Sequence, residues 1–170
     1  MKQMTEQEET LYDLFDEIGI TQYTVREHQA VFTSQEAEEA GLSMPGLNLK
    51  NLLIKDKKDG RFYLVILDEH RKMERSHFKA LTGWSSKVTF AGEAELWSLL
   101  RLTPGSVSPF GLIFDTEKRV TVVLDRIITF APEEELVNFH PNRNTATLGL
   151  SKGDFLHFLR YMGNSVIFEK

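Results

Sequence analysis

The chain has 170 residues, 41% of them hydrophobic, and 25 acidic side chains against 20 basic ones give it a net charge of −5. That is enough apolar material for one sizeable core, so residues 1–170 are read as a single domain. The acidic balance argues against polybasic, nonspecific nucleic-acid binding but leaves room for a local basic patch, and the lack of cysteine excludes a disulfide framework, a thiolate nucleophile and a cysteine zinc site.

The first residues, Met1 to Glu8, are polar and acidic rather than basic and then apolar, and no later stretch is apolar for long enough to span a bilayer. A cytoplasmic protein with no membrane partner, monomeric by default, is the expectation. From Thr5 to Ile18, Leu11, Leu14, Phe15 and Ile18 recur at helical spacing behind an acidic first turn, and Gly19 stands where a helix ends. Tyr23 to Thr33 reads as extended. Ser34 then caps a short acidic helix, Gln35 to Ala40, which Gly41 stops, and a loop with Pro45 and Gly46 follows.

Leu49 to Lys55 and Arg61 to Leu67 are apolar runs around the turn Asp56-Lys57-Lys58-Asp59-Gly60, a hairpin signal that predicts paired antiparallel strands. Lys55, Lys57, Lys58 and Arg61 crowd that hairpin, as a solvated turn or as the local patch a nucleic-acid end needs. His77 to Leu81 reads as a short helix ending at Gly83, Lys87 to Phe90 as a strand and Ala94 to Leu100 as a helix. Phe110 to Phe114 and Val120 to Ile128 predict a second hairpin around Asp115 to Arg119. Ser151 with Asp154 three residues on resembles a capping box, opening a helix with Phe155, Leu156, Phe158, Leu159 and Met162 on its buried face, and Val166 to Phe168 closes the chain as a strand. Hairpins mixed with helices predict an α/β domain of the α+β type, its sheet mixed and mainly antiparallel.

The usual hydrolytic machineries lack their parts. His28, His70, His77, His140 and His157 form no HExxH or other close metal-ligand pair, so no metal is expected and no cofactor either. Neither Ser106 nor Ser108 lies in a GxSxG elbow, and Thr103 to Gly111 lacks the GxxxxGK[ST] pattern of a phosphate loop.

Three features remain. Thr103-Pro104-Gly105-Ser106-Val107-Ser108-Pro109-Phe110-Gly111 is a rigid loop almost without reactive side chains, so it is either an ordinary ordered turn or a site that works through its backbone. Strand alternation puts Lys50 on the face of Leu52 and Ile54, with Leu47, Leu49, Asn51 and Leu53 on the other. Lys50 is then a snorkelling side chain at a strand end, or a fixed ammonium holding a phosphate or a developing negative charge at the mouth of an apolar pocket. His140, held before Pro141, is a capped loop histidine or one that orients a hydroxyl or a water.

Taken together, HQAVFTSQE (His28 to Glu36), LKNLLIKDKK (Leu49 to Lys58), LTPGSVSPFG (Leu102 to Gly111), VVLD (Val122 to Asp125) and FHPNRNTAT (Phe139 to Thr147) resemble, in order and spacing, the YbaK/prolyl-tRNA-synthetase insertion-domain family. Within it the chain looks most like the free-standing prolyl-tRNA editing branch of ProX (PrdX) type, over nearly its whole length from Leu11. No single motif is specific, but five stand in register.

The resemblance implies a curled sheet around a pocket with helices outside, and hydrolysis of the ester of alanine mischarged on proline tRNA. Lys50 matches the family's essential lysine, Asn51 its adjacent asparagine, Gly105 and Pro109 the ends of its GxxxP loop, and His140 its histidine before proline. Ser106, Val107 and Ser108 come with the loop, and pocket walls are expected around Val31, Leu52 and Phe110. The implied partner is the 3′ end of an aminoacyl-tRNA, with prolyl-tRNA synthetase a further candidate. Leu47-Asn48-Leu49 departs from a small polar lead-in and Asn142-Arg143 from a more apolar pair, which leaves open a deacylase for cysteine or serine esters. A noncatalytic module that binds the aminoacylated end is the alternative from another class.

Overall fold

The computed structural model describes residues 4–30 and 44–170. The expected helix Gln35 to Ala40 and the pocket residue Val31 lie outside them.

Helix α1 (Glu6–Ile18) opens at Thr5, whose hydroxyl accepts the Glu8 N–H, and stops at Gly19 in the left-handed region. Its Leu11, Leu14 and Phe15 enter the main core. After β1 (Tyr23–Glu27), strands β2 (Leu47–Asp56) and β3 (Phe62–Asp68) form the expected antiparallel hairpin. Helix α2 (Arg75–Thr82), strand β4 (Val88–Phe90) and helix α3 (Glu93–Leu100) follow as the punctuation predicts.

The second predicted hairpin does not form. Pro109–Phe114 is a 3-10 helix, with Ser108 capping it and proline at its first turn, and only β5 (Val120–Leu124) is a strand before the short helix α4 (Arg126–Thr129). Instead of an antiparallel neighbour, β5 has β3 on one side and β8 (Val166–Phe168) on the other, both parallel. Two strands unmarked in the sequence, β6 (Leu136–Phe139) and β7 (Ala146–Ser151), precede helix α5 (Lys152–Met162), which the Ser151 hydroxyl caps at Asp154 N–H.

The eight strands among the described residues make one sheet in the order β1-β7-β6-β2-β3-β5-β8, with β4 also on β2. Pairings β1–β7, β2–β3, β2–β4 and β6–β7 are antiparallel and β2–β6, β3–β5 and β5–β8 parallel, so the sheet is mixed and mainly antiparallel. Its centre is covered on both sides. Phe62, Leu64 and Ile66 of β3 join the main core under α1, α3 and α5, while Tyr63, Val65 and Leu67 join a second cluster with Phe78 of α2 and Trp84. A strand buried on both faces needs an unbroken apolar run, which is what β3 supplies.

Candidate active site

Strand β2 has one edge fully paired and the other divided. Along β3 it is paired from Leu49 to Lys55, but the opposite edge meets β6 only at Leu47 and Asn48 and β4 only from Ile54 to Asp56. Among the described residues, Leu49 to Leu52 has no strand partner on that side. Lys50 and Asn51 fall in this gap.

The two side chains stand on opposite faces, as the alternation predicts. Leu52 and Ile54, on the Lys50 side, pack with the second cluster; Leu47, Leu49 and Leu53, on the Asn51 side, pack with the main core. A single ligand therefore meets both only at the open edge. Lys50 is partly buried, and among the described residues its ammonium has no hydrogen bond or ion pair. Asn51 has an enclosed Oδ1 with no donor among the described residues. Such an acceptor costs about 1–3 kcal/mol, which a donor on a bound group would relieve.

His140 follows directly on the end of the neighbouring strand β6. Beyond the parallel pair Asn48↔Asn138, Lys50 and His140 each stand two positions further along. His140 Nδ1 lies 2.8 Å from the Ala146 carbonyl oxygen, which can only accept, so Nδ1 carries the proton and Nε2 of the neutral ring is an acceptor without a partner among the described residues. Burial pushes the His140 pKa below the ordinary histidine value and the nearby His28 adds to this, against the opposing effect of the Ala146 bond. At neutral pH the ring is therefore uncharged.

A second imidazole is present that the sequence reading did not single out as a site residue. The His28 ring centre lies 6.2 Å from that of His140, with Nδ1 2.7 Å from the Gln29 carbonyl oxygen and Nε2 2.9 Å from the Thr147 hydroxyl. Its signal was its place at the head of the His28 to Glu36 stretch. After Pro141 the chain is clamped by the pair that departs from the family pattern. Asn142, in the left-handed region, donates to the carbonyls of Gln7 (3.3 Å) and Phe110 (3.5 Å), and the Arg143 guanidinium bonds the Glu8 carboxylate at 2.6 Å and that of Glu27.

The Gly105 to Pro109 loop adjoins this clamp through Phe110, whose ring centre is 5.6 Å from that of Phe139. Gly105 has φ 90°, open to glycine and strained for other residues. The loop's own hydroxyls face inward: Ser106 Oγ donates to the Thr103 carbonyl at 2.9 Å, and Ser108 Oγ accepts the Phe110 N–H at 3.2 Å. The N–H of Ser106 also goes to Thr103, at 3.1 Å, whereas those of Gly105, Val107 and Ser108 find no acceptor among the described residues. What the loop has left to offer is backbone donors. Pro109 and Phe110 are buried, whereas Val107 and Leu52 keep exposed surface. Among the described residues no group of three or more His, Asp or Glu side chains converges as a metal site would require.

Residues 28–158 match the model of the aminoacyl-tRNA editing domain. The chain belongs to that family. It is an aminoacyl-tRNA deacylase, an ester hydrolase, and every stretch on which the family resemblance rested lies inside the matched range. Among its relatives is the prolyl-tRNA editing protein ProX of Acetoanaerobium sticklandii, 36% identical over 88% of each chain. The prolyl-tRNA synthetase associated domain-containing protein 1 of Mus musculus is 35% identical over 84% of each. The crystal structure of a protein proposed as a trans-editing enzyme for prolyl-tRNA synthetase superposes with a TM-score of 0.72 at 20% identity over 98% of each chain. That of the protein APE2540 gives 0.67 at 22% identity, over 92% of this chain and 95% of the other. These structures share the editing-domain fold. No helix among the described residues is long and apolar enough to cross a membrane.

Proposed function

We propose that the editing domain, residues 1–170 acting as one unit, hydrolyses the ester of alanine mischarged on proline tRNA and spares the correct prolyl ester. The observation that carries this reading is the trio of N–H groups at Gly105, Val107 and Ser108 that find no acceptor among the described residues, in a loop whose serine hydroxyls are already hydrogen-bonded within it. An aminoacyl ester is already activated, so water suffices as the nucleophile. Its oxygen attacks the ester carbonyl carbon while the loop N–H groups hold the oxyanion that forms, and the tetrahedral intermediate collapses by breaking the bond to the ribose oxygen, which takes up a proton.

Lys50 holds the terminal phosphate or ribose as a compact positive charge. Asn51 and the Nε2 acceptor of His140 position the adenosine and the attacking water, and the neighbouring ribose hydroxyl helps to activate that water. The proline assignment draws on the similarity to ProX across 88% of both chains. Selectivity is a sieve: a synthetase pocket built for proline does not fully reject the smaller alanine, and a second, smaller pocket at the open edge of β2 admits it and excludes proline. The protein acts in trans on the 3′ end, as a monomer, with prolyl-tRNA synthetase a candidate partner.

Alanyl-, seryl-, cysteinyl- and prolyl-tRNA(Pro) tested on the wild type and on Lys50→Ala decide the matter. Release of alanine alone supports the reading; release of serine or cysteine instead moves the substrate; binding without turnover of any ester makes the chain a binding module.

A further inference from the structure

Among the described residues the acidic chain carries a concentrated basic surface that the site does not use. Lys57, Lys58 and Arg61 are exposed on the β2–β3 turn, Lys87 before β4, and Lys118 and Arg119 before β5, against two exposed carboxylates there, Asp59 and Glu117. The fold brings these segments together. Lys57 N–H bonds the Lys87 carbonyl at 3.0 Å, and Arg61 and Arg119 immediately precede the paired residues Phe62↔Val120. The Arg119 guanidinium lies 5.2 Å from the centre of the Phe62 ring.

Two buried carboxylates hold the rim in shape. Asp56 accepts from the N–H groups of Lys58 (3.0 Å) and Ser85 (2.7 Å), and Asp115 from those of Arg119 and Val120, both 3.0 Å. Both are buried, and of the exposed carboxylates Asp59 pairs with Arg61 at 3.6 Å. Lys55, by contrast, is engaged with Glu95 at 2.6 Å.

From Lys50 the rim lies along β2, seven residues away at Lys57 or about 23 Å at strand spacing. A single strand stacked at about 3.4 Å per nucleotide covers some 14 Å in four nucleotides, and about three further stacked base pairs cover the remaining distance of about 9 Å, so a duplex that follows a chain end seated at Lys50 lies against the rim. We propose that this rim, Lys57, Lys58 and Lys87 foremost, binds the phosphate backbone of the double-stranded stem that carries the aminoacylated 3′ end. The placement rests on the reading of the site as an editing site. The rim reads no sequence: lysines and arginines on phosphates fix position and register, while the pocket chooses the amino acid.

The test uses the full chain and two variants, Lys57→Glu/Lys58→Glu/Lys87→Glu and its neutral counterpart with glutamine at the same three positions. Binding of uncharged tRNA is followed by fluorescence anisotropy across a salt series, and hydrolysis is followed on alanyl-tRNA(Pro) and on alanyl-adenosine, which has no stem. The glutamate variant is expected to bind tRNA at least tenfold more weakly, with a salt slope flatter by about 2–3, near one unit per lost phosphate contact. The glutamine variant shifts in the same direction, and should the glutamate variant fail to fold it decides alone. Both hydrolyse alanyl-adenosine at comparable rates to the wild type. Unchanged tRNA binding and slope in a folded variant overturn the proposal, as does a rim that binds polyglutamate and not RNA. If the wild type hydrolyses neither ester, the editing reading fails while the binding series still decides the rim.

Discussion

Lys50 and His140 stand side by side in the topology, each two residues beyond Asn48↔Asn138, the pair at which β2 and β6 part. The register thereby carries a cation on one strand and a neutral acceptor just past the end of the other in the same direction from that pair. This predicts that Lys50 serves substrate rather than fold. Lys50→Ala should lose deacylation by about a hundredfold to a thousandfold while its melting temperature stays within a few degrees, since no ion pair among the described residues is broken. Lys50→Arg should not restore the rate, because a planar fork does not replace a compact ammonium. Single-turnover rates beside thermal melts check this, and normal turnover by the alanine variant refutes the role.

The loop makes a different demand. Gly105 at φ 90° cannot take a side chain without strain of about 1–2 kcal/mol, and a shifted backbone re-aims the donors at Val107 and Ser108. Gly105→Ala should therefore lower the rate by more than tenfold. Ser106→Ala, which removes only a hydroxyl already bonded to Thr103, should cost the rate less than Gly105→Ala does. The reverse order would make the side chains, not the backbone, the working part.

For His140 the pH dependence has a definite sign. Its folded pKa is depressed below the ordinary histidine value of 6.5, by burial first and by His28 next. The neutral acceptor therefore persists below that pH, and the acid limb of the rate profile should have its midpoint under 6.5. The same depression makes His140 a contributor to stability above its unfolded pKa, lost as pH falls through the folded one. A midpoint above 6.5 for deacylation by the wild type would contradict the neutral-acceptor role.

Glu169 should matter to stability alone. It is 1% exposed and accepts two bonds from Arg71, at 2.6 and 2.8 Å, with further contacts from Arg126 and His77. The Arg71 bonds above all hold its carboxyl well below the usual range, so its contribution is present above the ordinary glutamate pKa and lost as pH falls towards the lowered one. Glu169→Gln should cost about 2–3 kcal/mol, or about 5–10 °C in melting temperature for a chain of this size, with turnover of alanyl-tRNA(Pro) unchanged.

The hairpin β2–β3 was legible in the sequence because a charged turn separates two apolar runs, and α1 and α5 because cap, period and terminal glycine agree. Phe110 to Phe114 was misread because a short apolar run looks alike in a strand and in a buried helical turn; Ser108 and Pro109, a cap and a first-turn proline, were the better signal. Strands β6 and β7 escaped notice because Asn138 and Gly149 interrupt them, and the parallel β3–β5–β8 pairing depends on crossovers that no local pattern encodes. At the site, strand alternation placed Lys50 and Asn51 correctly on opposite faces. The proximity of His28 to His140 and the lack, among the described residues, of an acceptor for three loop amides are properties of the folded backbone, which residue types alone do not carry.

The most direct test of the central claim is the rate of amino-acid release from alanyl-tRNA(Pro) against prolyl-tRNA(Pro) by the purified wild-type chain under single-turnover conditions. The editing site described above predicts rapid release of alanine and intact prolyl-tRNA. Equal cleavage of the two esters would contradict it.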